Sequence, residues 1–419
     1  MKKLISTTLA AVLSLSLLLT GCGTKTEGSK TDETQNGTTT EVQASKEDAK
    51  PVELTLWQET EKAIADVISA QLKKLEPAIK VNVVRKEKVT EALKLVAADA
   101  NGAPDLLWFA HDKIGLFATM GVLEPLDQYV SAEKFDNFLP MTRKAGMFKE
   151  QTYQIPAYFE TLLFMYNKDL LSTPPATTDD LLAMMKEKTK DGNYGYVEQH
   201  STAYYAAAWM NGFGGYIING NSEPGLDKPE TIDAVAYHKE FAKLMPKDGE
   251  FKTVTTLFYE KKAASTLNGP WIIPNSKQAG INLGFAAPPV INKNGKALSP
   301  FAGVQGLMML KACKNKEAAA KVINFLTEKD LGVALAESTG AAPAHKAAYE
   351  EEKIKSNELI SAMKAAAENA TPMPNVPEMD VMWTVTENAL VAVNKKDGDP
   401  KAEFEKAQKE ALKLIEDMK

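Results

Sequence analysis

Several aromatic residues of this chain stand beside carboxylates, near positions where strands or turns are predicted. Phe109 precedes Asp112 in the sequence Phe-Ala-His-Asp, and Tyr158 and Phe159 lead directly into Glu160. Sugars present apolar C–H faces and a rim of hydroxyl groups. An aromatic ring stacked on such a face buries apolar area, and carboxylates accept hydrogen bonds from the hydroxyl groups. The pattern is compatible with carbohydrate binding, although each ring taken singly also fits a hydrophobic core.

Two carboxylates in such surroundings could also catalyse hydrolysis. A glycosidase places two acidic side chains on either side of a glycosidic bond, and Asp112 and Glu160 are the candidates for that pair. The residue types leave open both a sugar-binding protein and a secreted glycosidase. Further rings that either protein could use are Tyr204, Tyr205, Trp271 and Trp383.

Motifs of several other chemistries are missing from the sequence. Its four histidines have no metal-ligand spacing, and Cys313 has no protease signature around it. No Gly-x-Ser-x-Gly elbow is present, and the glycine-rich segment 212–216 lacks the Lys-Ser/Thr of a phosphate-binding loop. A net charge of −6 argues against nucleic acid as a partner. We expect neither a metal ion nor a cofactor.

Alternating strands and helices predict the scaffold that positions these residues. Residues 52–57 alternate as a strand does, apolar residues recur at helical spacing over 64–75, and 80–85 fits a second strand. A helix over 90–100 and a buried strand over 104–110 follow. Such units predict a mostly parallel sheet, and ligands bind beyond the carboxyl ends of its strands. Trp57 and the segment 109–113 are therefore expected at a cleft.

The rest of the chain predicts a mixture of strands and helices. Strands fit 153–157 and 162–166, and helices fit 177–189, 229–244, 316–327, 329–338, 358–369, 381–393 and 400–418. Pro229 and Pro400 suit a first helical position, where a missing N–H costs nothing. With 419 residues the chain is long enough for two sizeable lobes.

Residues 1–22 indicate export. Lys2 and Lys3 precede an apolar run over 9–19 that is too short to span a membrane. Small residues before Cys22 resemble the bacterial lipobox, in which the cysteine is acylated; a plain secretory signal with an incidental cysteine is the alternative. The polar segment 23–50 predicts a disordered tether. We expect a protein on the outer face of the cell membrane, held there by its lipid anchor only.

Six segments carry a resemblance to a family. They are Asp105-Leu-Leu-Trp-Phe-Ala-His-Asp112, 155–161, 166–171, 268–271, 300–304 and 373–383, and they include Tyr-Asn-Lys-Asp, Asn-Gly-Pro-Trp and Met-Pro-Asn-Val-Pro. From about residue 52 to its end, the chain thereby resembles bacterial maltose/maltodextrin-binding proteins, the extracellular solute-binding lipoproteins of sugar ABC importers. The resemblance implies an α/β, two-lobe periplasmic-binding-protein-like fold of type II, with a hinge between lobes that close around sugar.

The same resemblance implies discontinuous lobes and a receptor function. The N-lobe would comprise 51–158 plus 307–352 and the C-lobe 163–301 plus 359–419, with crossings near 158–162, 302–306 and 353–358. A monomer that is not an enzyme would bind maltose or maltodextrins and deliver them to the permease subunits of an ABC importer. The alternative within this class is a receptor for another oligosaccharide or a polyol.

Positions matching the family's motifs give a set of expected sugar-binding residues. Carboxylates fall on Asp112 and Glu160, stacking rings on Tyr204, Trp271 and Trp383, wall residues on Phe251 and Met373, and a charged pair on Glu61 and Lys62, with Glu91 as a further candidate. Phe109 and Lys113 belong to the set, but they replace the usual tryptophan and arginine. Thr202 stands where a carboxylate is common and Glu387 where a basic residue is common. These departures affect the number of subsites and the preferred chain length, not the receptor role.

Overall fold

A computed structural model of the protein describes residues 51–96 and 102–418. The predicted signal peptide 1–22, the lipidation candidate Cys22 and the tether 23–50 lie outside the described residues. The strands are β1 (Val52–Gln58), β2 (Ile79–Arg85), β3 (Leu106–Ala110), β4 (Leu123–Glu124), β5 (Met147–Phe148), β6 (Gln151–Thr152), β7 (Ile155–Thr161), β8 (Leu163–Asn167), β9 (Tyr194–Val197), β10 (Ala263–Asn268), β11 (Leu283–Ala286), β12 (Phe301–Leu310), β13 (Ala342–Pro343) and β14 (Thr371–Pro372).

Helices cover the faces of the sheets that these strands form. They are α1 (Lys62–Leu72), α2 (Val89–Val96), α3 (Ile114–Thr119), α4 (Ala132–Phe135), α5 (Pro140–Ala145), α6 (Thr178–Lys188), α7 (Ala203–Phe213), α8 (Pro229–Ala242), α9 (Phe251–Tyr259), α10 (Ile273–Gln278), α11 (Lys316–Leu326), α12 (Lys329–Thr339), α13 (Glu352–Lys355), α14 (Glu358–Ala367), α15 (Met379–Lys396) and α16 (Pro400–Asp417). Single 3-10 turns occupy 73–75, 111–113, 270–272 and 346–350. Within the described residues, no helix is both long and apolar enough to cross a membrane.

The larger sheet has the strand order β13-β7-β12-β3-β1-β2, and β4 and β14 also pair with β12. β1 is parallel to β2 and β3, as predicted, because helices α1 and α2 connect these strands. The expectation of a mostly parallel sheet is wrong beyond these strands, since β12 runs antiparallel to both β3 and β7. Leu54, Leu56 and Leu106 point into the core beneath α1.

The smaller sheet has the order β11-β8-β10-β9. The predicted strand 162–166 is β8, which is antiparallel to β10 and β11. The chain leaves the larger sheet at the end of β7 and enters the smaller one at β8, with Leu162 between them. It returns between β11 and β12. The assignment of residue ranges to an N-lobe and a C-lobe stays a prediction.

Most predicted helices are present with ends shifted by a few residues. The helix predicted over 177–189 is α6, and it begins where Thr177 and Asp180 form a reciprocal capping box. The helix predicted over 90–100 is α2 as far as Val96, and the following residues 97–101 are not described. Helices α8 and α16 both begin at the prolines that the sequence placed at a first helical position.

Candidate functional site

A cleft of about 820 Å³ lies between elements packed on the two sheets, within the range of small-molecule sites. From the larger sheet it is lined by the turn after β1, the end of β3 and the end of α12. From the smaller sheet it is lined by the turn 270–272, α10, β11 and the start of α14. Among the expected sugar-binding residues, those that line it are Glu61, Phe109, Glu160 and Trp271.

The turn after β1 supplies one wall of the cleft. Glu59 is used structurally, because its carboxylate accepts hydrogen bonds from the backbone N–H groups of Lys88 and Val89 at 2.9 and 3.3 Å, where α2 begins. Glu61 precedes α1 and lines the cleft. Lys62 is not among the lining residues; its side chain is 87% exposed and pairs with Asp66 at 2.6 Å.

Glu160 lies near the end of β7 and lines the cleft. Burial, and to a smaller extent the nearby carboxylate of Glu61, together raise the pKa of its carboxyl to about 7. Both carboxylates thus face a common space, and one of them is poised to change its charge near neutral pH. An acceptor in this place would gain from hydrogen bonds donated by ligand hydroxyl groups.

Trp271 lies in the short turn 270–272, and hydrogen bonds of the preceding residues hold this turn in place. The amide oxygen of Asn268 accepts hydrogen bonds from the Tyr205 hydroxyl and from the N–H of Gly269, each at 3.0 Å. The indole of Trp271 folds back over Gly269, so that a Cβ there would lie 2.0 Å from the ring. Trp271 is nevertheless 40% exposed, which leaves part of its ring free to contact a ligand.

A row of rings continues from Trp271 through helix α7 and the start of β12 to helix α15. The aromatic row consists of Trp271, Tyr204, Phe301 and Trp383, with centroid distances of 6.3 Å from Trp271 to Tyr204, 6.3 Å from Tyr204 to Phe301 and 6.2 Å from Phe301 to Trp383. Burial raises the pKa of the Tyr204 phenol, and the carboxylates of Glu160 and Asp112 raise it further. Three of these rings were expected from sequence, and the structure brings them together with both expected carboxylates. Phe301 was missed.

The segment after β3 links the larger sheet to the row. Lys113 lies 2.5 Å from Asp380 at the start of α15 and 3.8 Å from Asp112. His111 is buried: its Nδ1 accepts a hydrogen bond from the N–H of Val304, so its Nε2 donates to the carbonyl of Met373, each at 3.0 Å. Burial lowers the pKa of this imidazole, consistent with a neutral ring. The side chain of Met373 packs in the same apolar cluster as Tyr204 and Trp383.

Three residues that the sequence analysis singled out do not line the cleft. Phe251 begins α9, is 46% exposed and does not line the cleft. Glu91 lies in the first turn of α2 and does not line it either. Glu387 accepts a hydrogen bond from the N–H of Ala203 at 3.3 Å, directly after Thr202. A carboxylate on α15 therefore accepts a hydrogen bond from a free N–H group at the amino end of α7. It lies next to Thr202, the position where the family commonly has a carboxylate and this chain does not.

The cleft also contains residues that sequence reasoning missed. They include Gln305 of β12, Lys277 of α10, Phe285 of β11, Ser338 of α12, and Asn357 and Leu359 at the start of α14. No local signal marks them, because they come from five separate segments that meet only in the folded chain. In the part of the chain that the structure describes, no three His, Cys, Asp or Glu side chains are grouped to hold a metal ion.

Comparison with known proteins shows the family to which this architecture belongs. The family model for bacterial extracellular solute-binding proteins matches residues 68–362. The chain belongs to this family. Solved structures that resemble this chain include that of a cyclo/maltodextrin-binding protein complexed with maltotetraose. The two superpose with a TM-score of 0.82 and share 27% sequence identity, and the match covers 89% of this chain and all of that one. The α/β fold of two lobes of type II, expected from the resemblance to maltodextrin-binding proteins, is confirmed.

Relatives of this solute-binding protein have names that refer to more than one sugar. A maltotriose-binding protein of Pyrococcus abyssi is 34% identical over 348 residues, which are 81% of this chain and 77% of that protein. A galactooligosaccharide-binding protein of Bacillus subtilis is 31% identical over 418 residues, covering 95% and 94%. A maltooligosaccharide ABC transporter solute-binding lipoprotein of Streptococcus pneumoniae is 28% identical, covering 91% and 90%.

Proposed function

We propose that this solute-binding protein is a lipid-anchored receptor that binds malto-oligosaccharides outside the cell and delivers them to the permease subunits of an ABC importer. The observation that carries the proposal is the aromatic row near Asp112 and Glu160, which reaches the cleft between the two lobes at Trp271. Stacking rings and acidic acceptors are what the two surfaces of a glucose unit require. The names of the maltotriose-binding and maltooligosaccharide-binding relatives support the choice of sugar.

Binding would be coupled to closure of the lobes. Glu61 and Phe109 approach the cleft from the larger sheet and Trp271 from the smaller one, so only a closed molecule lets both sides contact the same sugar. A ligand shifts the equilibrium toward the state in which it makes more contacts. Micromolar affinity corresponds to about 8 kcal/mol. A few stacked rings and charge-assisted hydrogen bonds of about 1.5–3 kcal/mol each are enough to supply it after association costs.

The lipid anchor and the position on the outer face of the cell membrane rest on the sequence before residue 51. The lipobox-like residues ending at Cys22 support acylation, and the pneumococcal relative is named as a lipoprotein. The binding domain would act as a monomer.

Calorimetric titration of the purified protein tests the sugar class. We expect heat of binding and micromolar dissociation constants with maltose, maltotriose and maltotetraose. Galacto-oligosaccharides are the comparison ligands, because the galactooligosaccharide-binding relative matches nearly the whole chain. Heat with galacto-oligosaccharides alone would move the assignment to that class. Chromatography of the maltotriose mixture after long incubation checks the absence of cleavage, and shorter products would indicate the glycosidase considered for Asp112 and Glu160.

Substitution of the two indoles tests the site. We expect Trp271→Ala and Trp383→Ala each to weaken maltotriose binding about tenfold, since each removes a stacking surface worth about 1.5 kcal/mol. Both rings lie at least partly exposed, so the midpoint of thermal unfolding should change little. Titration calorimetry measures the affinity, and circular dichroism measures the unfolding. Unchanged affinity in both variants would mean that the row is only part of the core.

A further inference from the structure

Tyr205 is a buried tyrosine of α7 that does not line the cleft. Its hydroxyl donates a hydrogen bond of 3.0 Å to the Oδ1 of Asn268, the last residue of β10. The turn 270–272, which carries Trp271, begins two residues later. Tyr205 therefore contacts the residue from which the chain enters that turn.

The side chain of Asn268 depends on this hydrogen bond. Its Oδ1 accepts one other hydrogen bond, from the neighbouring N–H of Gly269 at 3.0 Å. Its Nδ2 is buried and has no partner within residues 51–96 and 102–418. Among those residues, the Tyr205 hydroxyl is thus the one donor from another element that fixes the Asn268 amide. Without it, the amide would keep only a hydrogen bond within its own turn and could rotate toward a partner for its Nδ2.

The indole of Trp271 lies close to the same hydroxyl. Burial raises the pKa of the Tyr205 phenol, and the side chains of Gln199 and Trp271, which lie within hydrogen-bonding reach of it, oppose that rise. The ring of Tyr205 also packs edge-on against Tyr204, with a centroid distance of 5.8 Å. Tyr205 therefore contacts two members of the aromatic row, although it does not line the cleft itself.

Helix α7 holds Tyr205 in a fixed place. Trp209, one turn further along α7, donates its indole N–H to the Oε1 of Glu198 at 3.1 Å. His238 of α8 donates to the same oxygen, and the Tyr196 hydroxyl of β9 donates to Oε2 at 2.7 Å. All four side chains are buried, so a shift of α7 would leave a buried carboxylate without one of its donors. Tyr205 is therefore attached to a helix that is tied to both β9 and α8.

We propose that Tyr205 is a positioning residue for sugar binding. Its hydroxyl holds Asn268, and through it the turn 270–272, so that the indole of Trp271 keeps the orientation in which it stacks on a sugar. This inference rests on the proposed function and adds to it a residue that contacts no sugar. A phenylalanine would fill nearly the same space in the core, so the hydroxyl alone makes the difference.

A double-mutant cycle tests this role, because the effects of two residues that act through one another do not add. Tyr205→Phe removes only the hydroxyl, Trp271→Ala removes the ring that the hydroxyl would position, and the double variant combines them. Tyr349→Phe is the matched control, because Tyr349 is buried away from the cleft and its hydroxyl donates to the carbonyl of Pro343 at 2.8 Å. Each protein is titrated with maltotriose by calorimetry, and its midpoint of thermal unfolding is measured.

We expect Tyr205→Phe to weaken maltotriose binding about fivefold, the equivalent of one hydrogen bond. In the Trp271→Ala background the same substitution should have no further effect. The double variant should therefore bind about tenfold more weakly than the wild type, as Trp271→Ala alone does. Tyr349→Phe should lose a similar amount of thermal stability and bind as the wild type does.

Three results would overturn this role and leave the proposed function standing. They are binding by Tyr205→Phe within twofold of the wild type, a fivefold loss that recurs in the Trp271→Ala background, and an equal loss in Tyr349→Phe. Absence of maltotriose binding by the wild type would overturn both proposals. If Tyr205→Phe is unfolded, Asn268→Ala takes its place in the cycle with the same expected results, because it removes the acceptor of the same hydrogen bond.

Discussion

Replacing Gly269 with alanine is expected to lower the affinity for maltotriose about tenfold without lowering the midpoint of thermal unfolding. The indole of Trp271 lies against Gly269, and an added Cβ would stand 2.0, 2.1 and 2.4 Å from three of its ring atoms. Those distances are far inside van der Waals contact, so the ring must move. The stacking surface that the indole gives to a sugar would move with it, at a cost of about 1.4 kcal/mol in binding.

The fold should tolerate this substitution because the backbone has no need for glycine at position 269. Its φ of −92° and ψ of 170° suit any residue that precedes a proline. Alanine also restricts the unfolded chain, which typically stabilises a protein by about 0.4–1 kcal/mol where the conformation fits. Trp271 is 40% exposed and can turn toward solvent with little loss of packing. Affinity and stability should therefore change in opposite directions.

Gly220→Ala is the matched control, because a Cβ at position 220 meets no atom within 4 Å. Calorimetric titration with maltotriose, together with thermal unfolding followed by circular dichroism, compares the two variants with the wild type. Gly220→Ala should bind as the wild type does. If Gly269→Ala also binds within twofold of the wild type, the position of the indole over Gly269 has no role in sugar binding.

The first part of the fold could be predicted from sequence because its signals are local. Strand β1 alternates, α1 has apolar residues at helical spacing, and β3 is a short apolar run preceded by a proline. Parallel pairing of these strands follows from the helices that connect them. The same reasoning predicted that Trp57 and the segment 109–113 would lie at the cleft. Phe109 lines it, whereas Trp57 is buried in an apolar cluster and does not line it.

Helix α7 and strand β10 could not be predicted in this way. Both are buried on nearly every side, so their sequences, Ala-Tyr-Tyr-Ala-Ala-Ala-Trp-Met-Asn-Gly-Phe and Ala-Ala-Ser-Thr-Leu-Asn, have no alternation of apolar and polar residues to reveal a period. Strand β12 pairs with β3, β7, β4 and β14, which are far from it in sequence. Because Phe301 and Gln305 lie on β12, their approach to the site depends on this long-range pairing.

Replacing Glu160 with glutamine is expected to stabilise the protein at pH 8 and weaken sugar binding. Burial, and then the Glu61 carboxylate, raise the pKa of Glu160 from 4.5 to about 7. Each pKa unit corresponds to about 1.4 kcal/mol, so the ionised carboxyl lowers the free energy of unfolding by roughly 3 kcal/mol above pH 7. Glutamine stays neutral and avoids this cost. The ionised carboxylate that destabilises the folded protein is also the group that would accept hydrogen bonds from sugar hydroxyl groups on binding.

The pH dependence separates these two effects. Between about pH 4.5 and 7 the folded protein binds more protons at Glu160 than the unfolded chain does, so this group makes the free energy of unfolding fall as pH rises. Above pH 7 its contribution levels off. The stability difference between Glu160→Gln and the wild type should therefore be small at pH 5 and largest at pH 8. Chemical denaturation at a series of pH values measures it.

Maltotriose affinity should follow the opposite trend in the wild type, increasing as pH rises through 7, because the ionised carboxylate accepts stronger hydrogen bonds than the neutral acid. Glu160→Gln should bind about tenfold more weakly at pH 8 and lack this dependence. Glu61→Gln removes the second cause of the raised pKa of Glu160 and should shift the affinity profile to lower pH.

Glu337→Gln is the control. Glu337 is an exposed carboxylate that lines the cleft and pairs with Lys353 at 2.7 Å, and its replacement should change neither the pH dependence of affinity nor that of stability. A flat wild-type profile between pH 5.5 and 8.5 would show that the charge of Glu160 does not contribute to binding, because a buried acceptor whose protonation changes in this range must alter the affinity of any ligand that it contacts.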